Sequence, residues 1–332
     1  MESILSGSIY GNEEIIKTYT ENFRLQNLSE DVEVVNVNGI SGTSTSIQLD
    51  GLFIEIRSVT TSHDYEVHVA HDFPFFKLHF EIEGSNHYIP DNDNSIEILI
   101  QDGQYNFFYF PQVTGMLYFK AKKRKTLEIQ FTEDYFERVI GDNFKELFAK
   151  LGNAISAKKP FILWEKSRSI SFELKSSIKD IIECSYKGNI KKAYLEAKVL
   201  ELLIVLLATS AKEIVEPKRS TISLAEHEQL IYVERYIQEN YNRTITISQL
   251  ALIAGLNTSK LKQDFKAMYS TTIFKYITDL RMEKAKQNLI DGRGNITEIS
   301  FEVGYKNPQH FTVAFKKKFG ILPKDIQNKG VI

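Results

Sequence analysis

Residues 296–323 read ITEISFEVGYKNPQHFTVAFKKKFGILP. Ile299 and Ser300 precede Val303-Gly304-Tyr305, and Phe311 and Phe315 follow. Asn295 and Glu298 stand three apart, as in a capping box that opens a first helix. Gly304 falls where that helix ends, a place that often needs positive φ. Asn307 caps the next helix, with Pro308 at its first position, where the missing N–H costs nothing. The segment reads as helix, tight turn, helix.

The same unit occurs upstream. Leu250 and Ala251 precede Ala254-Gly255-Leu256, then Leu261 and Phe265. The offset between copies is 49 residues before the turn and 50 after it. Thr246 with Gln249 occupies the capping-box positions, Gly255 the helix end and Asn257 the next cap. This is the helix-turn-helix pattern used in the DNA major groove. Ile273 to Ile290 reads as one helix between the copies, about 27 Å long at 1.5 Å per residue. Successive major-groove faces lie about 34 Å apart, so a rod of this size can present two recognition helices to one duplex.

With these motifs, residues 224–328 resemble the DNA-binding domain of the AraC/XylS transcription regulators. Residues 296–323 match that family's signature almost throughout. One departure is Ser270, where the family usually has glycine before the linker helix; Gly320 retains it in the second copy. In the first recognition helix, 257–269, Leu261, Phe265 and Met268 belong inside, and Ser259, Lys262, Gln263 and Lys266 face outward. The family's base-contacting positions fall on Ser259, Lys262 and Gln263, and Lys260 is grouped with them as a DNA-binding residue. In the second, 307–319, Phe311, Phe315 and Phe319 belong inside. Gln309, Thr312 and Val313 match the groove-facing positions, with Lys316 and Lys317 near phosphates. Val313 departs from the frequent polar choice and suits a thymine methyl. The resemblance implies double-stranded DNA and RNA polymerase as partners.

Charge is distributed to match. Residues 223–332 hold 16 Lys+Arg and 11 Asp+Glu, a net of +5, whereas residues 1–222 hold 25 and 32, a net of −7. The whole chain is near neutral, at −2 over 332 residues, so it is not a generic polyanion binder. Apolar residues make up 42%, enough for real cores and against wholesale disorder. The one cysteine, Cys184, excludes an intramolecular disulfide and a Cys-based zinc site. In its helical pattern it reads as a small buried residue. The start lacks a basic flank and an apolar run, and the most apolar stretch, Leu202 to Ala208, is too short to span a membrane. The expected location is cytoplasmic.

The first 130 residues read mainly as strand: 32–37, 47–59, 65–71, 75–82, 96–100, 105–110, 116–119 and 127–131. Phe76, Leu78, Phe80 and Ile82 alternate with Lys77, His79 and Glu81, as in a half-buried strand. From Glu133 the period changes to helical, including a segment with Phe144, Leu147, Phe148 and Leu151. The helix 190–211 is apolar nearly all round and must be buried, in the core or at a subunit seam. The expected organisation is a β-rich domain over 1–132, a helical and dimerising segment over 133–211, a linker over 212–223 and the DNA-binding domain over 224–332. The fold class is thus multidomain α+β: a β-barrel or sandwich with helices, then an all-α domain with two helix-turn-helix units.

Family members commonly carry a cupin-like, effector-binding barrel and dimerising helices ahead of the DNA-binding domain. The segments around Gly103–Pro111, Leu127–Phe131 and Tyr194–Leu203 resemble the pyochelin-regulator branch, whose members respond to iron–siderophore complexes. A small-molecule effector and a homodimer are therefore expected, with no resident cofactor. Five histidines lie between residues 63 and 87, without the HxH and glutamate spacing of cupin enzymes. His68, His79, Phe108 and Tyr118 are the candidate ligand contacts, and Trp164 the anchor between barrel and helices. No P-loop, dinucleotide fingerprint or Ser/His/Asp arrangement occurs, which argues against an enzyme. The alternatives are a constitutive regulator whose N-terminal domain only dimerises, and a metal-dependent cupin enzyme fused to a DNA-binding module.

Overall fold

The computed structural model describes residues 1–11, 13–92, 95–120, 123–141, 149–215, 222–269 and 271–327. They form two compact units, Met1–Lys218 and Arg219–Ile332.

The first unit is built on strands β1 (Glu2–Ser6), β2 (Glu14–Thr18), β3 (Ser29–Val37), β4 (Ile40–Leu49), β5 (Leu52–Thr61), β6 (Tyr65–His71) and β7 (Phe75–Glu83). After these come β8 (Asn86–Pro90), β9 (Ile98–Ile100), β10 (Gln104–Phe110), β11 (Val113–Phe119), β12 (Lys123–Phe131) and the short β13 (Phe161–Ile162) and β14 (Arg168–Ser169). One antiparallel sheet runs β2-β1-β6-β11-β8-β9, the other β13-β10-β7-β12-β5-β4-β3, with β14 also on β10. The stretch 47–59, read as one strand, is two. Asp50-Gly51 turns the chain, Gly51 takes φ 80°, and Leu49 pairs with Leu52 across a tight hairpin.

Among the described residues, the chain after β12 forms the helices α1 (Glu133–Ile140) and α2 (Ala149–Ser156), then, past β13 and β14, α3 (Phe172–Ile182) and α4 (Gly188–Val215). Their apolar stripes cover the outer face of the larger sheet. Leu174, Ile178, Leu195, Val199, Leu202 and Leu206 share one buried cluster with Ile54, Leu78, Phe107 and Ile129. A boundary at residue 132 therefore does not separate two cores. The buried stripe of α4 is core, while its other side leaves Ile190 and Ile204 exposed. The helix continues to Val215, four residues into the stretch read as linker; residues 216–221, and Phe144, Leu147 and Phe148, lie outside the described residues. Trp164 is buried, packs edge-on against Tyr105, and its carbonyl accepts a hydrogen bond from Asn106 Nδ2 at 2.9 Å. Cys184 is half-buried beside the same cluster.

The polar sides of β5, β7 and β12 overturn the half-buried expectation. Antiparallel sheets usually wet one face. Here the charged face is enclosed, and His79, Glu81, Arg124 and Glu128 are all at most 5% exposed.

The second unit holds α5 (Leu224–Asn240), α6 (Ile247–Ala254), α7 (Thr258–Tyr269), α8 (Ile273–Ile290), α9 (Ile296–Glu302), α10 (Pro308–Phe319) and α11 (Pro323–Gln327). Asn295 and Glu298 form the full capping box. Thr246 forms only half of one: its hydroxyl accepts from the Gln249 N–H, but the Gln249 side chain donates to the Tyr236 hydroxyl instead. Asn257 and Asn307 cap α7 and α10. The rod α8 belongs to both copies. Tyr276 packs on Phe265 and Tyr269, whereas Met282, Ala285 and Leu289 join Ile299, Phe311 and Phe315. Arg281 ties the rod to the 241–243 loop, donating to the Tyr241 and Arg243 carbonyls at 2.7 and 2.8 Å. Gly304, at φ 90°, rests on that loop: a Cβ there would lie 2.5 Å from the Asn242 carbonyl oxygen.

Candidate nucleic-acid interface and effector cavity

On α7 the residues divide as the 3.6-residue period requires. Leu261, Phe265 and Met268 are buried; Ser259, Lys262, Gln263 and Lys266 are exposed. Lys262 and Gln263 present the groups that bond guanine O6/N7 and adenine N6/N7. Lys260 is placed differently from its neighbours. Its Nζ lies 2.9 Å from Asp264 Oδ2 and 3.2 Å from Glu226 Oε1, and these hydrogen bonds, Asp264 first, raise its pKa. It links α7 to Glu226 of the α5 capping box.

On α10, Phe311 and Phe315 are buried, and Gln309, Val313, Lys316 and Lys317 are exposed. Thr312 is half-buried, with its hydroxyl donating to the Pro308 carbonyl at 2.9 Å. Lys318 turns back to Asp279 and Glu283. The exposed set on each helix thus combines base-capable side chains with lysines that suit phosphates. Ser270 lies outside the described residues.

In the first unit the two sheets flank a cavity of about 350 Å³ that is open at one side, where exposed Ile15 and Val37 line it. His79 and Phe108 line it. His68 and Tyr118 do not. Val67 and Val69 point inward on β6, and Leu117 and Phe119 on β11, so the alternation turns residues 68 and 118 outward. His68 there pairs with Asp91 at 2.8 Å, and Tyr118 packs beside His87. Among the described residues, no three His, Cys, Asp or Glu side chains converge as a metal site.

The charged wall follows from strand register. Glu128 stands opposite both Glu55 and His79, and Thr126 opposite both Arg57 and Glu81. Like charges directly opposite are unfavourable, so the diagonal neighbours decide the balance. Arg57 bonds Glu55 and approaches Glu128 at 3.4 Å; Lys77 pairs with Glu128; Arg124 bonds Glu81 at 3.0 Å, and His79 Nε2 lies 2.9 Å from Glu81. Burial alone would raise the Glu55 and Glu128 carboxyls. The cations beside them, Arg57 and Lys17 for Glu55 and Lys77 first for Glu128, outweigh burial and hold both below the usual range. Except for His79, no member of this network is among the candidates read from the sequence. Its only signal there is the same alternating phase on β5, β7 and β12, which a solvated face would share.

His71 closes the inner wall on the other sheet, sharing a 2.5 Å hydrogen bond with Ser3 Oγ. Burial, then Lys77, push its pKa down to about 4 from 6.5. Between those values the unfolded chain takes up a proton that the folded chain refuses. Stability therefore falls as pH drops from about 6.5 towards 4 and is unaffected by this group above 6.5. Glu55 and Glu128 act in the same sense at lower pH, since their stabilisation is lost as pH falls through their depressed values. The melting temperature read by Trp164 fluorescence is expected to decline from about pH 7 to about pH 5, and His71→Gln to flatten that decline. A midpoint equally steep in the variant would contradict a neutral buried His71.

No helix among the described residues is long and apolar enough to cross a membrane. Residues 42–221, more than half of the chain, match the family model described as the regulatory protein PchR N-terminal domain. Residues 250–329 match a helix-turn-helix domain. The chain is 23% identical over 180 residues to the thermoregulatory protein LcrF of Yersinia pestis, covering 54% of this chain and 64% of that one. It is 36% identical over 104 residues to the raffinose operon transcriptional regulatory protein RafR of Pediococcus pentosaceus, covering 31% and 38%. Among solved structures, the C-terminal domain of the response regulator yesN from Fusobacterium nucleatum aligns at 30% identity and TM-score 0.28, covering 29% of this chain and 95% of that one. The chain thus spans less than two thirds of these curated relatives. Its paired helix-turn-helix units and the match over its first unit make it a member of the AraC-type DNA-binding transcription regulators, in the branch that carries the PchR N-terminal domain.

Proposed function

We propose that the protein is a ligand-controlled regulator and not an enzyme. In this reading α7 and α10 enter successive major grooves of one duplex, and the cavity of the first unit holds a small effector. Effector occupancy shifts the protein between states of different DNA affinity, which its partner RNA polymerase senses. The branch points to iron–siderophore complexes as one effector class. The exposed side of α4, with Ile190 and Ile204, is the proposed homodimer face. The observation that carries the reading is the repeat itself: two capped helices, each with an exposed polar row of base-capable side chains, held on one rod.

Ser259, Lys262, Gln263 and Lys266 are the proposed contacts of the first copy, and Gln309, Thr312, Val313, Lys316 and Lys317 those of the second. Lys262→Ala combined with Gln263→Ala is expected to weaken specific binding by about 1–3 kcal/mol per lost bidentate contact. Both side chains are exposed, so thermal stability should not change. Footprinting titration on an operator selected from random DNA checks this. Unchanged operator affinity would defeat the face assignment.

A further inference from the structure

The repeat is longer than its two helix pairs. α5 begins at Leu224 and α8 at Ile273, the same 49 residues apart as α6 and α9. The rod is therefore also the opening helix of the second copy, and its residues have counterparts on α5. Met282 stands where the first copy has Val233, and both are buried. At one place the character changes. The first copy has the buried apolar residues Leu230 on α5 and Met268 on α7. At the same positions the second copy has Asp279 on the rod and Lys318 on α10. Asp279 Oδ1 lies 3.2 Å from Lys318 Nζ and its Oδ2 lies 3.0 Å from Lys275 Nζ, with Glu283 at 3.8 Å from Lys318. The neighbouring position changes likewise. Lys286 Nζ sits 5.1 Å from the Phe319 ring centre, where the first copy has the buried Ile237 and Tyr269. Burial thus seats the last turn of α7, but Phe319 is only half-buried and the Lys318 side chain is 27% exposed.

We infer that Asp279 is a positioning residue for the second recognition helix: through Lys318 it holds the last turn of α10 on the rod, so that the other end of α10 meets its bases. This rests on the reading of α10 as a recognition helix. Apolar contact has no preferred direction, whereas an ammonium–carboxylate pair fixes both distance and direction. Phe311 and Phe315 seat the middle of α10, and the pair fixes the end beyond them. Gln309 lies nine residues before Lys318 on this helix. That is about 13 Å, so a tilt of roughly 10° displaces one end by about 2 Å relative to the other, enough to break a hydrogen bond to a base. An ion pair this open to water adds little to stability, so its loss changes orientation more than folding. The pair also sets Lys318 apart from Lys316 and Lys317, the lysines proposed to meet phosphates.

The test uses the full chain and an operator selected from random DNA, and reads how much affinity is lost when the bases of either half-site are changed. Gln309→Ala is the reference that marks the half-site read by α10. Asp279→Ala and Lys318→Met are each expected to cut the penalty at that half-site about tenfold, the worth of one base contact, while the penalty at the other half-site stays. The double variant should lose no more than either single one, because both remove the same contact. The dependence of affinity on salt should match the parent, since no phosphate contact is lost. If Asp279→Ala lowers the melting temperature, Lys318→Met, at the more exposed side chain, carries the same comparison. Equal losses at both half-sites, or none at the second, would overturn the inference. So would a salt slope smaller by about 0.9 in Lys318→Met with Asp279→Ala silent, which would make Lys318 itself a phosphate contact. Gln309→Ala without effect at either half-site would overturn the reading of α10 and the inference with it.

Discussion

Glu128→Ala is expected to lower the stability of the first unit by about 3–5 kcal/mol, the cost of stripping one partner from a buried ion network. The carboxylate is 5% exposed and receives Lys77 and Arg57, with Arg124 Nη2 at 3.8 Å. Without it, three cations face one another across an interior that water enters poorly. Removing the charges together would be far milder, since a well-packed apolar replacement avoids the desolvation cost of the whole set. Trp164 is the only tryptophan of the chain and lies in the first unit, so its fluorescence in a urea titration of the intact protein reads this unit alone. An unchanged urea midpoint would mean that Glu128 is solvated in the folded state.

The second large effect belongs to the other unit. Phe315→Ala should cost about 3–5 kcal/mol, because a fully buried aromatic leaves a cavity that its neighbours fill only in part. Phe315 is 0% exposed and touches Phe311 and Phe319, with ring centroids 5.6 and 4.7 Å away. Its cluster includes Met282, Ala285 and Leu289 of the rod α8, so the loss should loosen the second copy and the rod's C-terminal half together. The first copy packs on Tyr276 and should survive. Far-UV circular dichroism of the full chain is expected to show an early partial transition, with Trp164 fluorescence unchanged in the same range. A single transition at the original temperature would contradict a separable second unit.

The DNA-binding unit was legible because its signals are local. Asn295, Glu298, Gly304, Asn307 and Pro308 each fix a backbone feature within a few residues of themselves, and the repeat states the pattern twice. The cavity was much less legible because its signals are long-range. Lys77, His79 and Glu81 carry the same alternation whether water or a second sheet lies over them, and only the pairing of β7 with β12 and β5 gathers them beside Glu128 and Arg57. His68 and Tyr118 suit a ligand by residue type alone, and one position of pleat on each strand places them on the far side. Strands β1 and β2 carry no clear strand signal because they are short and hold polar residues such as Glu2, Ser3 and Glu14, yet β2 supplies Lys17 to the cavity. Lys260 reads as a DNA contact from its helix and becomes a structural anchor only once Glu226 is brought to it.

The larger sheet carries oil on its back and charge on its front, and every central strand is shared between them. Ile54 and Glu55, Leu78 and His79, Phe107 and Phe108, and Glu128 and Ile129 are successive residues that look opposite ways. In the proposed reading, a guest that presses on the front meets, one peptide bond later, the layer that seats α4. The long helix α4 is thus seated on the same strands that line the cavity, with one layer of backbone between them.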